Sequence, residues 1–202
     1  MGDTVPREDR EMAPRTEPII RRRRFTVEEY RRMGTARILD EAERVELIHG
    51  EIVQMAPIRP DHASVVARIA KLLESALREQ VIVWSQNPVS LRHEASEPRP
   101  DLVLLRPKPD FYRSGHPEPP DILLLLEVMD TSAAYDRQVK LPLYARAGIA
   151  EVWLVDVNVN TVEVHRDPTP TGYRDRRMFA RDDIVVPLAF PEVTLHGRDL
   201  TG

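Results

Sequence analysis

Two carboxylates near the middle of the chain are of a type and spacing that could do chemistry together. Asp101 directly precedes the apolar run LVLL (102–105), and Glu127 directly follows the apolar run ILLLL (122–126). An unpaired carboxylate beside a buried strand is costly, because burial disfavours the charged form. Two carboxylates brought together also repel each other, so such a pair needs a shared proton, a basic partner or a divalent cation. We interpret the pair as a candidate metal site.

The order of the surrounding elements predicts that Asp101 and Glu127 are neighbours. Both apolar runs have the length of a buried strand, and segment 111–121 between them is rich in turn-forming residues. If this loop returns the chain beside itself, the start of the first strand lies next to the end of the second. Both carboxylates could then bind one hard cation through oxygen and leave positions for water and a phosphate oxygen.

Lys140 is the candidate basic partner of this pair. It follows Asp136 by four residues on a predicted helix, so the two side chains would share a helix face. A lysine near a metal could orient or help to deprotonate an attacking water and offset charge on a phosphate. Plainer interpretations remain open: turn chemistry for Asp101, a solvated strand end for Glu127 and a surface ion pair for Lys140.

The elements that must position these residues are predicted from periodicity and turn signals. Thr26 and Glu29 resemble a capping box that opens a short helix ending at Gly34, and Asp61 is expected to cap a longer helix over 62–79. A crossover helix is predicted after Glu127, and it either kinks at Pro142 or has its regular part begin near that residue. Together with the predicted hairpins, this crossover indicates an α/β fold in which helices flank a central mixed sheet. The predicted strands are VELI (45–48) and EIVQM (51–55), joined by a tight turn, then VIVW (81–84), PVSLR (88–92), the two central runs, EVWLVDV (151–157), TVEVHR (161–166) and one or two strands after residue 172.

Length and composition limit the function classes. With 202 residues, of which 42% are hydrophobic, we expect one domain at residues 25–202 behind a disordered basic tail at 1–24. The net charge of −4 excludes nucleic-acid binding through overall basicity, so any such binding needs a local basic surface. The chain has no cysteine, which excludes disulfides and thiolate zinc sites. No run of residues is apolar enough for a membrane span, and we expect a cytoplasmic protein.

Seven segments of the chain form a recognisable series. In order they are YRRM, VELIHGEIVQMAP, Asp61-His62-Ala63, PRPDLVLL, PPDILLLLEVMDTS, YDRQVKLPLYARAGIAEVWLVD and TVEVHR. Together they resemble the Uma-type (Uma-two) family of bacterial restriction endonucleases, within the PD-(D/E)xK nuclease superfamily. The resemblance covers roughly residues 25–195. It implies a restriction-endonuclease-like fold, a magnesium-dependent phosphodiesterase site and DNA as the partner, with Mn²⁺ as a substitute for Mg²⁺.

Residue by residue, the resemblance implies that Asp101 and Glu127 are the metal ligands. The superfamily places its lysine two positions after the second acid, where this chain has Met129, and Lys140 matches the position to which related proteins have moved it. Glu46 matches a further acidic position that completes the site or lies on an exposed hairpin. His62 also matches a family position, but we assign it no catalytic role.

The function expected from the sequence is a Mg²⁺-dependent endonuclease that hydrolyses DNA. The catalytic residues would be Asp101, Glu127, Lys140 and Glu46, with Asp101 and Glu127 as metal ligands and Lys140 as base or electrostatic stabiliser. The alternatives are a nuclease acting on RNA, a non-catalytic nucleic-acid-binding or regulatory relative of the same fold, and an interaction protein whose acidic cluster only stabilises the sheet. We expect a homodimer, since two sites related by a two-fold axis most simply cut two strands.

Overall fold

A computed structural model of the protein describes residues 22–40 and 42–202, so most of the predicted tail at 1–24 lies outside the described residues. Among the residues it describes, no helix is long and apolar enough to cross a membrane. In this described part of the chain, the strands are β1 (Val45–Ile48), β2 (Glu51–Gln54), β3 (Ile82–Ser85), β4 (Leu102–Leu105), β5 (Ile122–Met129), β6 (Glu151–Asp156), β7 (Thr161–Thr169), β8 (Gly172–Phe179), β9 (Ile184–Val185) and β10 (Leu195–His196). The α-helices are α1 (Val27–Thr35), α2 (Pro60–Leu77), α3 (Ala133–Tyr135), α4 (Leu141–Arg146) and α5 (Gly197–Thr201).

Six strands form the central sheet, in the order β3-β4-β5-β6-β7-β8. All neighbours are antiparallel except β5 and β6, which are parallel and are joined by the crossover through α3 and α4. The predicted mixed sheet is therefore confirmed. The strands β1 and β2 form a separate hairpin, and its turn places both His49 and Gly50 at positive φ, at 51° and 77°, as a tight two-residue turn requires.

Apolar layers on both faces of the sheet explain why its central strands read as continuous apolar runs. Alternate residues of β5 point to opposite faces. Leu124, Leu126 and Val128 pack under α2, whereas Leu125 and Met129 pack against α4. Glu127 lies between these last two in the strand, so its side chain belongs to the face that the crossover covers.

The ends of the first two helices follow local hydrogen-bonding chemistry. The predicted capping box is present, because Thr26 Oγ1 accepts from Glu29 N and Glu29 Oε2 accepts from Thr26 N. The predicted cap at Asp61 is wrong. Helix α2 begins at Pro60, whose missing N–H suits the first helical position, and the Asp61 carboxylate accepts the N–H of His62 instead.

The strand predicted at 88–92 is also absent, although its apolar residues are buried. The backbone N–H groups of Val89, Ser90 and Leu91 donate to three separate loop carbonyls, those of Pro98, Pro117 and Ser96. Because these loops satisfy the backbone donors, the segment can be buried without joining a sheet ladder. Burial alone therefore produced a false strand signal at this segment.

The crossover after β5 is not one regular helix. Residues Asp136–Lys140 form a π-helical turn between α3 and α4, closed by a bond from Leu141 N–H to the Asp136 carbonyl. Pro142 follows in the first turn of α4, and a proline has no N–H to donate to the preceding turn. The wider turn accommodates this missing donor, and the regular part of the helix begins beside the proline, as one of the two sequence alternatives states.

Ion pairs of Arg137 connect this π turn to strands β6 and β7 of the sheet. Arg137 Nε donates to Glu163 Oε1 of β7 at 2.8 Å, and Arg137 Nη2 donates to Asp156 Oδ2 of β6 at 2.9 Å. Arg176 and His165 also contact Glu163 Oε2, at 2.8 and 3.3 Å. The hydrogen bond from His165 and those from the arginines outweigh burial and lower the pKa of Glu163 to about 2.

We predict that the free energy of unfolding falls at acid pH because the Glu163 carboxylate becomes protonated. Its carboxylate contributes stability that is fully present above its unfolded pKa, about 4.3, and that is lost as pH falls through about 2. The free energy of unfolding should drop by up to about 3 kcal/mol across this window. Urea melts at several pH values measure it. Glu163→Gln should be less stable at pH 7 and show a shallower decline; an equally steep decline in this variant would contradict the assignment.

Candidate active site

The sheet register brings the two predicted metal ligands together. Leu102 of β4 pairs with Leu126 of β5, so the next step along this antiparallel ladder places Asp101 opposite Glu127. Asp101 N lies 3.4 Å from Glu127 Oε2, and Val128 N donates to Asp101 Oδ2 at 2.9 Å. The two carboxylates are neighbours, as the hairpin argument predicts.

Lys140 reaches the same place from the π turn. Its Nζ lies 3.3 Å from Glu127 Oε1 and 3.4 Å from Glu46 Oε2, which comes from strand β1. Lys140 is only 5% exposed and Glu46 only 2%, so this is a buried ion cluster rather than a surface pair. Met129, at the usual lysine position, is fully buried in the apolar layer under α4.

Two side chains without a role in the sequence analysis also contact the carboxylates. His62 Nε2, near the start of α2, lies 2.9 Å from Asp101 Oδ1, and the hydroxyl of Tyr144 in α4 donates to Glu127 Oε1 at 2.6 Å. The family motif around His62 was a signal for the first contact. Nothing in the sequence pattern separates Tyr144 from an ordinary core aromatic, because its spacing fits helix packing.

The two carboxyl groups occupy opposite electrostatic environments. Burial raises the pKa of Glu127 to about 8, against the lowering effect of the Lys140 ammonium. Burial acts in the same direction on Asp101, but the hydrogen bond and charge of His62, with the Val128 N–H, outweigh it and hold the pKa of Asp101 below its ordinary value. The same contact raises the pKa of His62. Neighbouring carboxyls with separated pKa values are typical of sites that use them differently.

All four predicted site residues line one cleft of about 260 Å³. Asp136 joins them; it is buried, accepts a hydrogen bond of 2.6 Å from Ser132 Oγ, and has a pKa raised by burial. The plain alternative of a surface ion pair is therefore wrong for Asp136 and Lys140. The further lining residues are Arg44, Val53, Gln54, Met55, Ala56, Pro57, Ile58, Arg59, His62, Arg99, Asp130, Thr131, Ser132 and Tyr135.

The buried part of the cleft has more acidic than basic side chains. Four buried or nearly buried carboxyls, those of Glu46, Asp101, Glu127 and Asp136, meet one ammonium and one imidazole. Within residues 22–40 and 42–202, no three histidine, aspartate or glutamate side chains are grouped to hold a metal by themselves. Mg²⁺ is usually bound through only one or two carboxylates, with water and substrate phosphates as its other ligands. The pair Asp101 and Glu127 fits that kind of binding.

Comparisons with known proteins agree with this geometry. The model of the family Uma2, described as "putative restriction endonuclease", matches residues 27–198. A crystal structure described as "a putative nuclease belonging to DUF820" from Anabaena variabilis matches with a TM-score of 0.67 and 18% sequence identity, covering 88% of this chain and 97% of that one. The predicted restriction-endonuclease-like fold is thereby confirmed. No curated protein matches the chain.

We predict that removing the buried ammonium destabilises the fold strongly. Lys140→Met leaves Glu46 and Glu127 buried without their shared cation, which should cost about 3–5 kcal/mol. The matched control is Lys108→Met, because Lys108 also forms an ion pair, with Asp121 at 2.8 Å, but its side chain is 43% exposed. That change should cost less than about 1 kcal/mol. Urea unfolding of both variants measures the difference, and equal losses would contradict the burial argument.

Proposed function

The chain belongs to the Uma2 family, described as putative restriction endonucleases, and we propose on that premise that it is a metal-dependent endonuclease that hydrolyses DNA phosphodiester bonds. The observation that carries the proposal is the convergence of Asp101, Glu127, Lys140 and Glu46 in one cleft. Phosphodiester hydrolysis needs an activated water and positive charge near the phosphate. The cleft contains residues suited to both tasks.

The proposed metal ligands are Asp101 and Glu127, with Mg²⁺ as the ion and Mn²⁺ as a substitute. The bound ion would supply Lewis-acid charge at the phosphate and lower the pKa of a water molecule. Glu127 shows why a cation suits this place, since its carboxyl is buried and its pKa is raised to about 8. Positive charge nearby favours the ionised form that a ligand needs. His62 would hold the Asp101 carboxylate in position through their 2.9 Å contact.

Lys140 is better suited to stabilise charge than to accept a proton. Burial alone would lower the pKa of its ammonium, but the surrounding carboxylates, first Glu127 and then Glu46, outweigh burial and raise it. A lysine that stays protonated at neutral pH can offset charge on the phosphate in the transition state. The sequence left both roles open, and this environment favours the electrostatic one. Glu46 would act through Lys140 by fixing the position of its ammonium.

Three arginines of the cleft lining offer contacts to a nucleic-acid backbone. Arg59 pairs with Asp61 and Asp130, and Arg44 donates to the Ala56 carbonyl. Among the residues that the structure describes, no carboxylate lies within salt-bridge distance of Arg99. Together they provide the local basic surface that a chain of net negative charge needs to bind phosphates.

Homodimerisation stays a prediction, because it follows only from the need for two cuts in a duplex.

Metal binding through Asp101 should raise the melting temperature. An ion at ten times its Kd adds about 1.4 kcal/mol, which for a chain of this size corresponds to a shift of about 3–6 °C. We expect such a shift with millimolar Mg²⁺ or Mn²⁺ in the wild type and none with Asp101→Asn. Potassium chloride of equal ionic strength is the control for salt effects. A shift of the same size in Asp101→Asn would show that Asp101 is not a ligand. A wild type whose melting temperature does not change would contradict the proposed metal site.

Plasmid cleavage tests the enzyme directly. Wild-type protein with Mg²⁺ or Mn²⁺ should nick supercoiled DNA. Asp101→Ala and Lys140→Ala, assayed at a temperature at which circular dichroism shows each variant to be folded, should each lower the rate at least about 100-fold, because Asp101 would hold the metal and Lys140 would offset charge on the phosphate. Asp167→Asn, which alters an exposed carboxylate paired with Arg174 outside the cleft, should cut like the wild type.

Each result of the plasmid assay has a clear meaning. Cleavage that depends on metal, Asp101 and Lys140 supports the proposal. Folded wild-type protein that binds metal but leaves DNA intact would favour the RNA or non-catalytic alternatives, and a parallel assay with RNA would separate these two.

A further inference from the structure

The groups proposed for catalysis are largely buried at the cleft rather than spread on an open surface. The side chains of Glu46 and Glu127 are 2% and 3% exposed, and that of Asp101 is 14% exposed. Segment 53–59, from β2 to the start of α2, and segment 130–136, from the end of β5 to the π turn, both line the cleft. With a volume of about 260 Å³, the cleft is close to the small end of pockets that enclose small molecules, about 300 Å³.

The part of the lining that segment 53–59 provides is largely apolar. Val53, Met55 and Ile58 line the cleft with Ala56 and Pro57, and Ile58 is 40% exposed although it is a large hydrophobic residue. An exposed hydrophobic residue inside a cleft is more informative than one on an open surface, because it marks a surface that a ligand can cover.

Tyr135 adds an aromatic ring to the lining from segment 130–136. Its hydroxyl is buried and has no hydrogen-bond partner among the described residues, so the rest of the side chain is what a ligand can contact. An aromatic ring suits a nucleobase, because the two apolar faces can stack.

We propose that the substrate places an unpaired nucleotide in this cleft, so that the enzyme prefers single-stranded DNA or unpaired segments to a fully paired duplex. This inference rests on the proposed function. In a paired duplex the base faces are stacked and only phosphates, sugars and groove edges face a protein, so the apolar lining beside the proposed phosphate site would gain nothing. An unpaired nucleotide brings both a phosphate for the acidic floor with its metal and a free base face for the lining.

The arginines of the cleft agree with a single strand as occupant. Arg44, Arg59 and Arg99 line the same cleft as the apolar residues, which combines cations for the backbone with surfaces for bases. A single strand also needs only one cut, so one copy of the chain suffices for its cleavage. The homodimer expected from duplex cleavage is then not required by the chemistry.

The test compares three substrates of one sequence in the presence of Mn²⁺. They are a labelled single strand, the same strand fully paired, and the same strand in a duplex with a central unpaired segment. We expect the single strand and the unpaired segment to be cut at least roughly tenfold faster than the paired duplex, with cuts confined to the unpaired segment. Equal or faster cleavage of the paired duplex would overturn the inference while leaving the endonuclease proposal intact.

A pair of isoleucine variants connects the preference to the cleft lining. Ile58→Ala should lower kcat/KM for the single strand roughly 5- to 10-fold through the loss of apolar contact. Ile38→Ala is the matched control, because Ile38 is 71% exposed and does not line the cleft, and it should cut like the wild type. Unchanged single-strand cleavage by Ile58→Ala, or an equal loss with both variants, would overturn the inference.

A binding measurement decides the inference if the protein cuts none of the substrates, a result that would count against the proposed function itself. Fluorescence anisotropy with Ca²⁺ in place of the catalytic ion would then compare the single strand and the duplex. Tighter binding of the single strand, weakened by Ile58→Ala and not by Ile38→Ala, supports an unpaired nucleotide in the cleft. Absent binding, or binding that is equal or tighter for the duplex, overturns it.

Discussion

The buried ammonium of Lys140 is the interaction on which the arrangement of the site depends. It lies between a carboxylate of the central sheet, Glu127, and one of the separate hairpin, Glu46. Without a shared cation, two carboxylates in this apolar layer would repel each other and would each carry an uncompensated cost of burial. The same ion cluster therefore joins three pieces of the fold and forms part of the floor of the cleft.

Rigid elements place the groups that converge there. Asp101 and Glu127 stand at the ends of paired strands, and the Val128 N–H fixes one oxygen of Asp101. The π turn that carries Lys140 is itself held to the sheet by Arg137. Charged groups held in advance cost little reorganisation when a reaction develops charge. The acidic groups suit a cation, and with the proposed metal bound they would accept a phosphate, while the apolar and basic lining would contact the rest of the nucleotide.

Features that depend on strand order could be predicted from the sequence, whereas side-chain contacts that depend on tertiary packing could not. Two apolar runs with carboxylates at their ends were enough to pair Asp101 with Glu127, because a hairpin register follows from loop and strand lengths. The contact between His62 and Asp101 joins residues 39 positions apart, and no local pattern specifies it. The π turn and the buried state of Asp136 also follow from tertiary packing. The strand predicted at 88–92 is wrong for a different reason, because apolar alternation indicates burial but does not specify the hydrogen-bond partners of the backbone.

The hairpin of β1 and β2 contributes both to the ion cluster around Lys140 and to the lining of the cleft. Its first strand supplies Glu46 to the buried lysine, and the chain that continues from its second strand carries Ile58 into the cleft lining. Within residues 22–40 and 42–202, the hairpin lies outside the central sheet, and its one β bridge to another segment joins Leu47 to Glu97. Ile48 and Val53 also pack into the apolar layer that α4 covers. A shift of the hairpin would move Glu46 relative to Lys140 and Ile58 relative to the rest of the cleft. In the proposed enzyme, one element would therefore influence both the fit of the substrate and the charge presented to its phosphate.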